Sequence, residues 1–142
     1  MSEDRITFFC EDISYHLTNE SGLIKWLEDV AIHYKKHISY INYVFCSDDY
    51  LLNINQTYLN HDYYTDIITF DQSENDGIAA DIFISIDRVN ENAQSFSISH
   101  EDELHRVLVH GLLHLIGFND KSEEEKKEMK ENEEACLSLR KH

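Results

Sequence analysis

Two hydrophobic periods alternate along the chain, and each change of period marks a new element. "RITFFC" (Arg5–Cys10) is a short strand. "GLIKWLEDVAIHYKK" places Leu23, Leu27, Val30, Ala31 and Tyr34 at helical spacing, and its basic last turn suits the helix dipole. "ISYINYVFCS" is β-branched and aromatic, hence a strand. "DDYLLNINQTYL" is a helix with Ser47 or Asp48 as its N-cap. "TDIITF" and "AADIFISI" are strands, the second alternating Ile82, Ile84 and Ile86 along one face. The turn-rich segment Asp71–Gly77 joins them in a hairpin-like connection. "DRVNENAQSF" carries Val89, Ala93 and Phe96 as the inner face of a short helix.

A longer helix starts after Ser99, with Glu101, Asp102 and Glu103 in its first turn. Leu104, Val107, Leu108, Leu112, Leu113, Leu115 and Ile116 make it apolar nearly all round, so it is predicted to be buried. The last segment opens on a capping box, Ser122 with Glu125. Its narrow apolar stripe of Met129, Cys136 and Leu139 predicts a solvated, lightly docked helix. The order β-α-β-α-β-β-α-α-α predicts an α+β fold, a single mixed β-sheet of about four strands with helices packed on it.

Composition adds few constraints. The 142 residues are read as one domain spanning 1–142, long enough for one sizeable core. No apolar run reaches the ~18–20 residues of a membrane span. "MSEDRITFFC" has no basic region leading into an apolar one, so no secretory signal is expected. Cys10, Cys46 and Cys136 lack CxxC spacing and are expected to be reduced thiols in a cytoplasmic protein. Charge changes the picture more. The net charge is −16, and between His37 and His105 the only lysine or arginine is Arg88. No clustered basic patch is evident, so tight unaided binding to nucleic acid is disfavoured.

The buried helix nevertheless carries His110 and His114, four apart and therefore on one face. Buried imidazoles need partners for their ring nitrogens. A metal ion supplies one, and this spacing converges two ligands on it. Gly117 fits the left-handed position that ends a helix, and the turn brings Asn119 and Asp120 back towards the pair. Asp120 then completes a His₂-carboxylate site with an open position for water. The other reading gives each histidine a carbonyl or carboxylate partner, and both stay open at this point. The HExxH peptidase signature is absent, because Gly111 stands where that motif has its glutamate base.

"HGLLHLIGFND" resembles the HGxLHLxGYDH signature of the YbeY family, bacterial metal-dependent endoribonucleases of rRNA maturation. "TYLNHDYYTDIITF" resembles that family's segment ending in TDVLSF, matching at Thr65, Asp66 and Phe70. "ADIFIS" resembles its GDIxIS strand at Asp81, Ile82, Ile84 and Ser85, while Glu125, Met129 and Glu133 repeat the spacing of its acidic C-terminal helix. The resemblance implies a zincin-like metal helix holding one Zn²⁺ through three histidines. His110 and His114 match the first two, and the third position is Asp120. The family's aspartate before that ligand is Asn119 here, and Leu59 follows Tyr58 where the family carries a phosphate-binding arginine. His61 is a candidate to substitute for that arginine in substrate binding.

The implied activity is single-strand-specific cleavage of RNA phosphodiesters, acting in 16S rRNA 3′ end maturation and late quality control of the 30S subunit. The implied partners are rRNA and the small ribosomal subunit, reached through a protein surface, with no DNA and no membrane. No general base is assigned. The rival function is a ribosome-assembly binding factor in which the metal is mainly structural.

Overall fold

A computed structural model describes residues 5–74 and 77–140. Its elements follow the expected order: β1 Ile6–Cys10, α1 Glu20–His33, β2 Ile38–Cys46, α2 Asp48–Leu59, β3 Ile67–Asp71, β4 Ile78–Ser85, α3 Ile86–Phe96, α4 His100–Ile116 and α5 Glu123–Leu137. The fold is α+β, with one four-stranded mixed sheet in the order β1-β2-β4-β3. β1 and β4 flank β2 in parallel, and β3 pairs antiparallel with β4 at the edge. A parallel pair needs a crossover, and α1 supplies it between β1 and β2. The antiparallel pair fulfils the hairpin expectation, although residues 75 and 76 of the Asp71–Gly77 connection lie outside the described residues.

Alternation along the edge strand divides the molecule in two. On one face, α2 covers a small cluster of Cys46, Leu51, Ile54 and Ile68, with Phe70 and Phe83 against it. On the other, α4 crosses Ile67 and Ile82 and joins the main core, where Leu27, Ile84, Leu108, Leu112 and Leu113 are fully buried. Each such side chain contributes about 1.5–3 kcal/mol by leaving water.

Caps fix most of the helix starts. The side chains of Ser47, Ser85, Ser99 and Ser122 accept from Tyr50, Arg88, Asp102 and Glu125 backbone N–H groups, settling Ser47 as the α2 cap. The Ser122–Glu125 capping box is present in full.

Three expectations are corrected. α1 stops at His33 instead of running through Lys36, because Lys35 adopts a left-handed φ of 61° and turns the chain towards β2. Ile86 belongs to α3 instead of the strand, since the Ser85 cap ends β4 one residue earlier. Phe96 and Leu139 lie exposed, because the shallow ends of their segments reach past the surfaces they were expected to cover. Among the described residues no helix is long and apolar enough to cross a membrane. Burial pushes the Cys46 thiol up to about 12 and raises that of Cys136 as well, so both stay protonated at neutral pH.

Candidate metal centre

Gly111 explains how α4 can lie so close to the sheet. A Cβ there would stand 3.1 Å from Ile67 Cδ1 and 3.2 Å from Ile82 Cδ1. The residue between the histidines thus faces the sheet, and a glutamate there would be driven into isoleucine side chains. His110 and His114 instead open onto a cleft of about 430 Å³. Thr65, Asp66, Ile67, Thr69 and Asp71 form the β3 wall of this cleft, and Leu115 and Asp120 line it beside the histidines.

The helix ends as the sequence suggests. Gly117 has φ 128°, and the N–H groups of Gly117 and Phe118 return to the Leu113 carbonyl at 3.1 and 3.0 Å. Phe118 then packs edge-on against Tyr34 of the α1 terminus, with ring centroids 5.5 Å apart. Asn119 hydrogen-bonds the Glu125 carboxylate, which lies below its ordinary range chiefly because it accepts the Ser122 backbone N–H. With its neighbours fixed in this way, Asp120 is aimed at the histidines.

Asp120 Oδ2 lies 3.4 Å from Nε2 of His110 and 3.4 Å from Nε2 of His114. The ligand atoms all fall within 4.8 Å of one another, and the two rings stand nearly perpendicular, at 78°. Donors bound at 2.0–2.2 Å to a tetrahedral ion are separated by about 3.3–3.6 Å, and both Asp120–histidine separations match that spacing. All three side chains are partly exposed, leaving a side open to the cleft. The three residues singled out in the sequence are therefore brought together.

A fourth residue was missed. Glu133 of α5 is buried, and its Oε2 accepts the Nδ1–H of His110 at 2.5 Å. That bond leaves the Nε2 lone pair of His110 directed at the cleft. Arg106, one turn before His110, donates to Oε1 of Glu133 at 3.2 Å and grips Glu103 at 2.6 and 2.8 Å. Glu103 and, to a lesser degree, Glu133 hold the guanidinium firmly in its charged form. Desolvating these charges is offset only because each carboxylate is paired. Beyond the family spacing of the acidic C-terminal helix, which includes Glu133, the sequence carried one clue. Glu133 lies four residues after Met129 and three before Cys136, so it sits on the stripe that docks α5.

The structure does not bring His61 or Leu59 into the cleft wall. His61 stacks on Tyr63, with a 3.0 Å contact between its Nδ1 and the Tyr63 hydroxyl. Leu59 ends α2, which packs on the sheet face opposite α4, and is 41% exposed. Asp66 lines the cleft without a side-chain partner among the described residues, whereas Asp71 accepts from the Ser73 backbone N–H at 2.9 Å.

A family model described as "Endoribonuclease YbeY" matches residues 8–140. The chain is 55% identical over 142 residues to the endoribonuclease YbeY of Cytophaga hutchinsonii, covering 99% of both chains. It is 45% identical over 134 residues to that of Parabacteroides distasonis, covering 94% of each. The solution structure of TM1509 from Thermotoga maritima matches with a TM-score of 0.67 and 27% identity, over 94% of this chain and 87% of that one. With sequence and fold in agreement over nearly the whole length, the chain belongs to the YbeY endoribonuclease family.

Proposed function

We propose that the protein is a zinc-dependent endoribonuclease that hydrolyses phosphodiesters of single-stranded RNA in the cleft between β3 and α4. The observation that carries this reading is the placement of one Asp120 oxygen 3.4 Å from both histidine Nε2 atoms, in a chain of this family. His110, His114 and Asp120 would hold one Zn²⁺, which would supply Lewis acidity to a water and to a phosphoryl oxygen.

The remaining work falls to the chain itself. Glu133 fixes the tautomer and ring plane of His110, and Arg106 holds Glu133 in place. The imidazole of His114 is more open to solvent than that of His110 and is held by its place one turn further along α4. Asp66, whose carboxylate in the cleft wall has no partner among the described residues, accepts the proton released as water attacks phosphorus. Asp71 is already engaged by the Ser73 N–H and serves to shape the wall.

The substrate is the 3′ end region of 16S rRNA in cytoplasmic small-subunit precursors, with a further role in late 30S quality control. A surplus of 16 negative charges makes long-range attraction to free RNA weak, so a protein surface on the subunit recruits the enzyme. The test is cleavage of a single-stranded RNA by the purified chain. Cleavage that stops with chelator and returns with Zn²⁺ supports the reading. A fully metallated chain that binds pre-ribosomal particles but leaves RNA intact would replace it with an assembly factor whose metal is structural.

A further inference from the structure

The sequence shows no clustered basic patch, yet the fold builds one beside the cleft. Lys35, Lys36 and His37 lie in the turn after α1, and Arg5, just before β1, reaches His37 Nδ1 at 3.1 Å. Lys36 and His37 line two adjoining recesses. One also contains Arg5 and Lys25; the other contains Lys35, Ser73, Gly77 and Leu115. Leu115 lines both the second recess and the metal cleft, so the two lie on either side of one side chain. The Tyr34–Phe118 contact also braces this turn against the one that carries Asp120.

The local charge is unusual for this molecule. The two recesses hold Arg5, Lys25, Lys35 and Lys36 against Glu28, Asp29 and Glu74, in a chain with 28 acidic and 12 basic residues. Elsewhere the arginines are committed: Arg88 to Asp48, Arg106 to Glu103 and Glu133, and Arg140 to Asp102. The lysines there that make no ion pair among the described residues, Lys121, Lys127 and Lys130, lie on or beside the acidic α5. Lys25 is paired with Asp29, whereas Lys35 and Lys36 are exposed and make no ion pair among the described residues.

We infer that the surface formed by Lys35, Lys36, His37 and Arg5 holds the phosphates of a single-stranded RNA as it leaves the metal cleft over Leu115. This rests on the proposed ribonuclease reading for the identity of the ligand. Few cations take part, so the site positions a strand delivered by other contacts and does not capture free RNA tightly. Two lysines on consecutive residues suit adjacent phosphates, and each releases a counterion on contact.

Binding of a fluorescent, single-stranded RNA of about 12 nucleotides, followed by anisotropy in chelator at several salt concentrations, tests this apart from any cleavage. Lys35→Gln/Lys36→Gln should weaken binding roughly three- to tenfold at low salt and flatten the slope of log K against log salt by about 1.4, or 0.7 per lysine. Lys35→Glu/Lys36→Glu should weaken it further. Lys127→Gln/Lys130→Gln, which removes the same charge from the exposed side of α5, should leave affinity and slope near the wild type. Thermal midpoints for all variants establish that they are folded. The inference is overturned if the Lys35/Lys36 variants bind as the wild type does, if the α5 pair weakens binding equally, or if the wild type shows no binding even at low salt. Loss of metal-dependent cleavage with this pattern intact would instead overturn the ribonuclease reading.

Discussion

Glu133, on the last helix, accepts a 2.5 Å hydrogen bond from Nδ1 of His110 on α4. The opposite nitrogen of the same ring lies 3.4 Å from Asp120. One imidazole therefore links a buried carboxylate behind the site to an exposed one in front of it. The acidic C-terminal helix, which reads in sequence as a solvated appendage, forms the back wall of the candidate metal centre.

Glu133→Gln should lower zinc affinity by roughly ten- to a hundredfold, because the amide cannot match the charge that orients His110 and raises its basicity. Glu133→Ala should add a stability loss of about 1.5–3 kcal/mol, since Arg106 loses one of its two carboxylates. Competition with a chromogenic chelator reads the first effect and thermal unfolding the second. Unchanged zinc affinity in both variants would reduce Glu133 to a packing residue.

Gly111→Glu recreates the HExxH spacing and tests which way that position faces. Here it should yield an unstable protein without peptidase activity, because the new carboxylate would be buried against Ile67 and Ile82 with no partner. Far-UV circular dichroism during heating gives the answer. A variant as stable as the wild type would mean that α4 is not seated on the sheet as described.

Much of this centre was legible because its signals are local. The four-residue spacing of His110 and His114, the stop at Gly117 and the position of Asp120 all lie within eleven residues of chain. Gly111 was legible as an anomaly but not as a contact, since Ile67 and Ile82 approach it only in the folded sheet. Glu133 was hidden for a similar reason. Its spacing from Met129 and Cys136 puts it on the docking stripe, but a carboxylate there has no evident use until its distant partners, Arg106 and His110, are known. The basic surface was missed because Arg5 and Lys36 are far apart in sequence and meet only through the parallel pairing of β1 with β2.

Asp66→Asn should reduce the rate of RNA cleavage roughly a hundredfold or more while leaving one metal ion per chain, as expected for loss of a proton acceptor. Asp71→Asn should cost much less, because Asp71 is occupied by a backbone N–H. Single-turnover rates at saturating RNA separate the two. Equal losses would remove Asp66 from its assigned role.

Leu59→Arg probes the departure from the family pattern. The side chain is already exposed, so stability should stay within about 0.5 kcal/mol of the wild type. Because Leu59 lies outside the cleft wall, on a helix packed against the sheet face opposite α4, the cleavage rate should stay near that of the wild type. A folded variant with a clear gain would show that the end of α2 reaches substrate phosphate through a charge-assisted contact.

Asp120→His should retain Zn²⁺, because it exchanges one suitable ligand for another and restores a three-histidine set. It should bind Mn²⁺ or Mg²⁺ less well than the wild type does, since hard ions favour carboxylate oxygen. Metal-dependent shifts in thermal midpoint across the three ions provide the comparison. An unchanged ion preference would place Asp120 outside the ligand set.

The central claim is that His110, His114 and Asp120 together hold one ion. Elemental analysis of zinc after exhaustive dialysis at neutral pH, on the wild type and on Asp120→Ala, tests it most directly. The wild type should carry one zinc per chain, and the variant, left with two histidines, should lose most of it. A folded Asp120→Ala protein that still holds one zinc per chain would contradict the account.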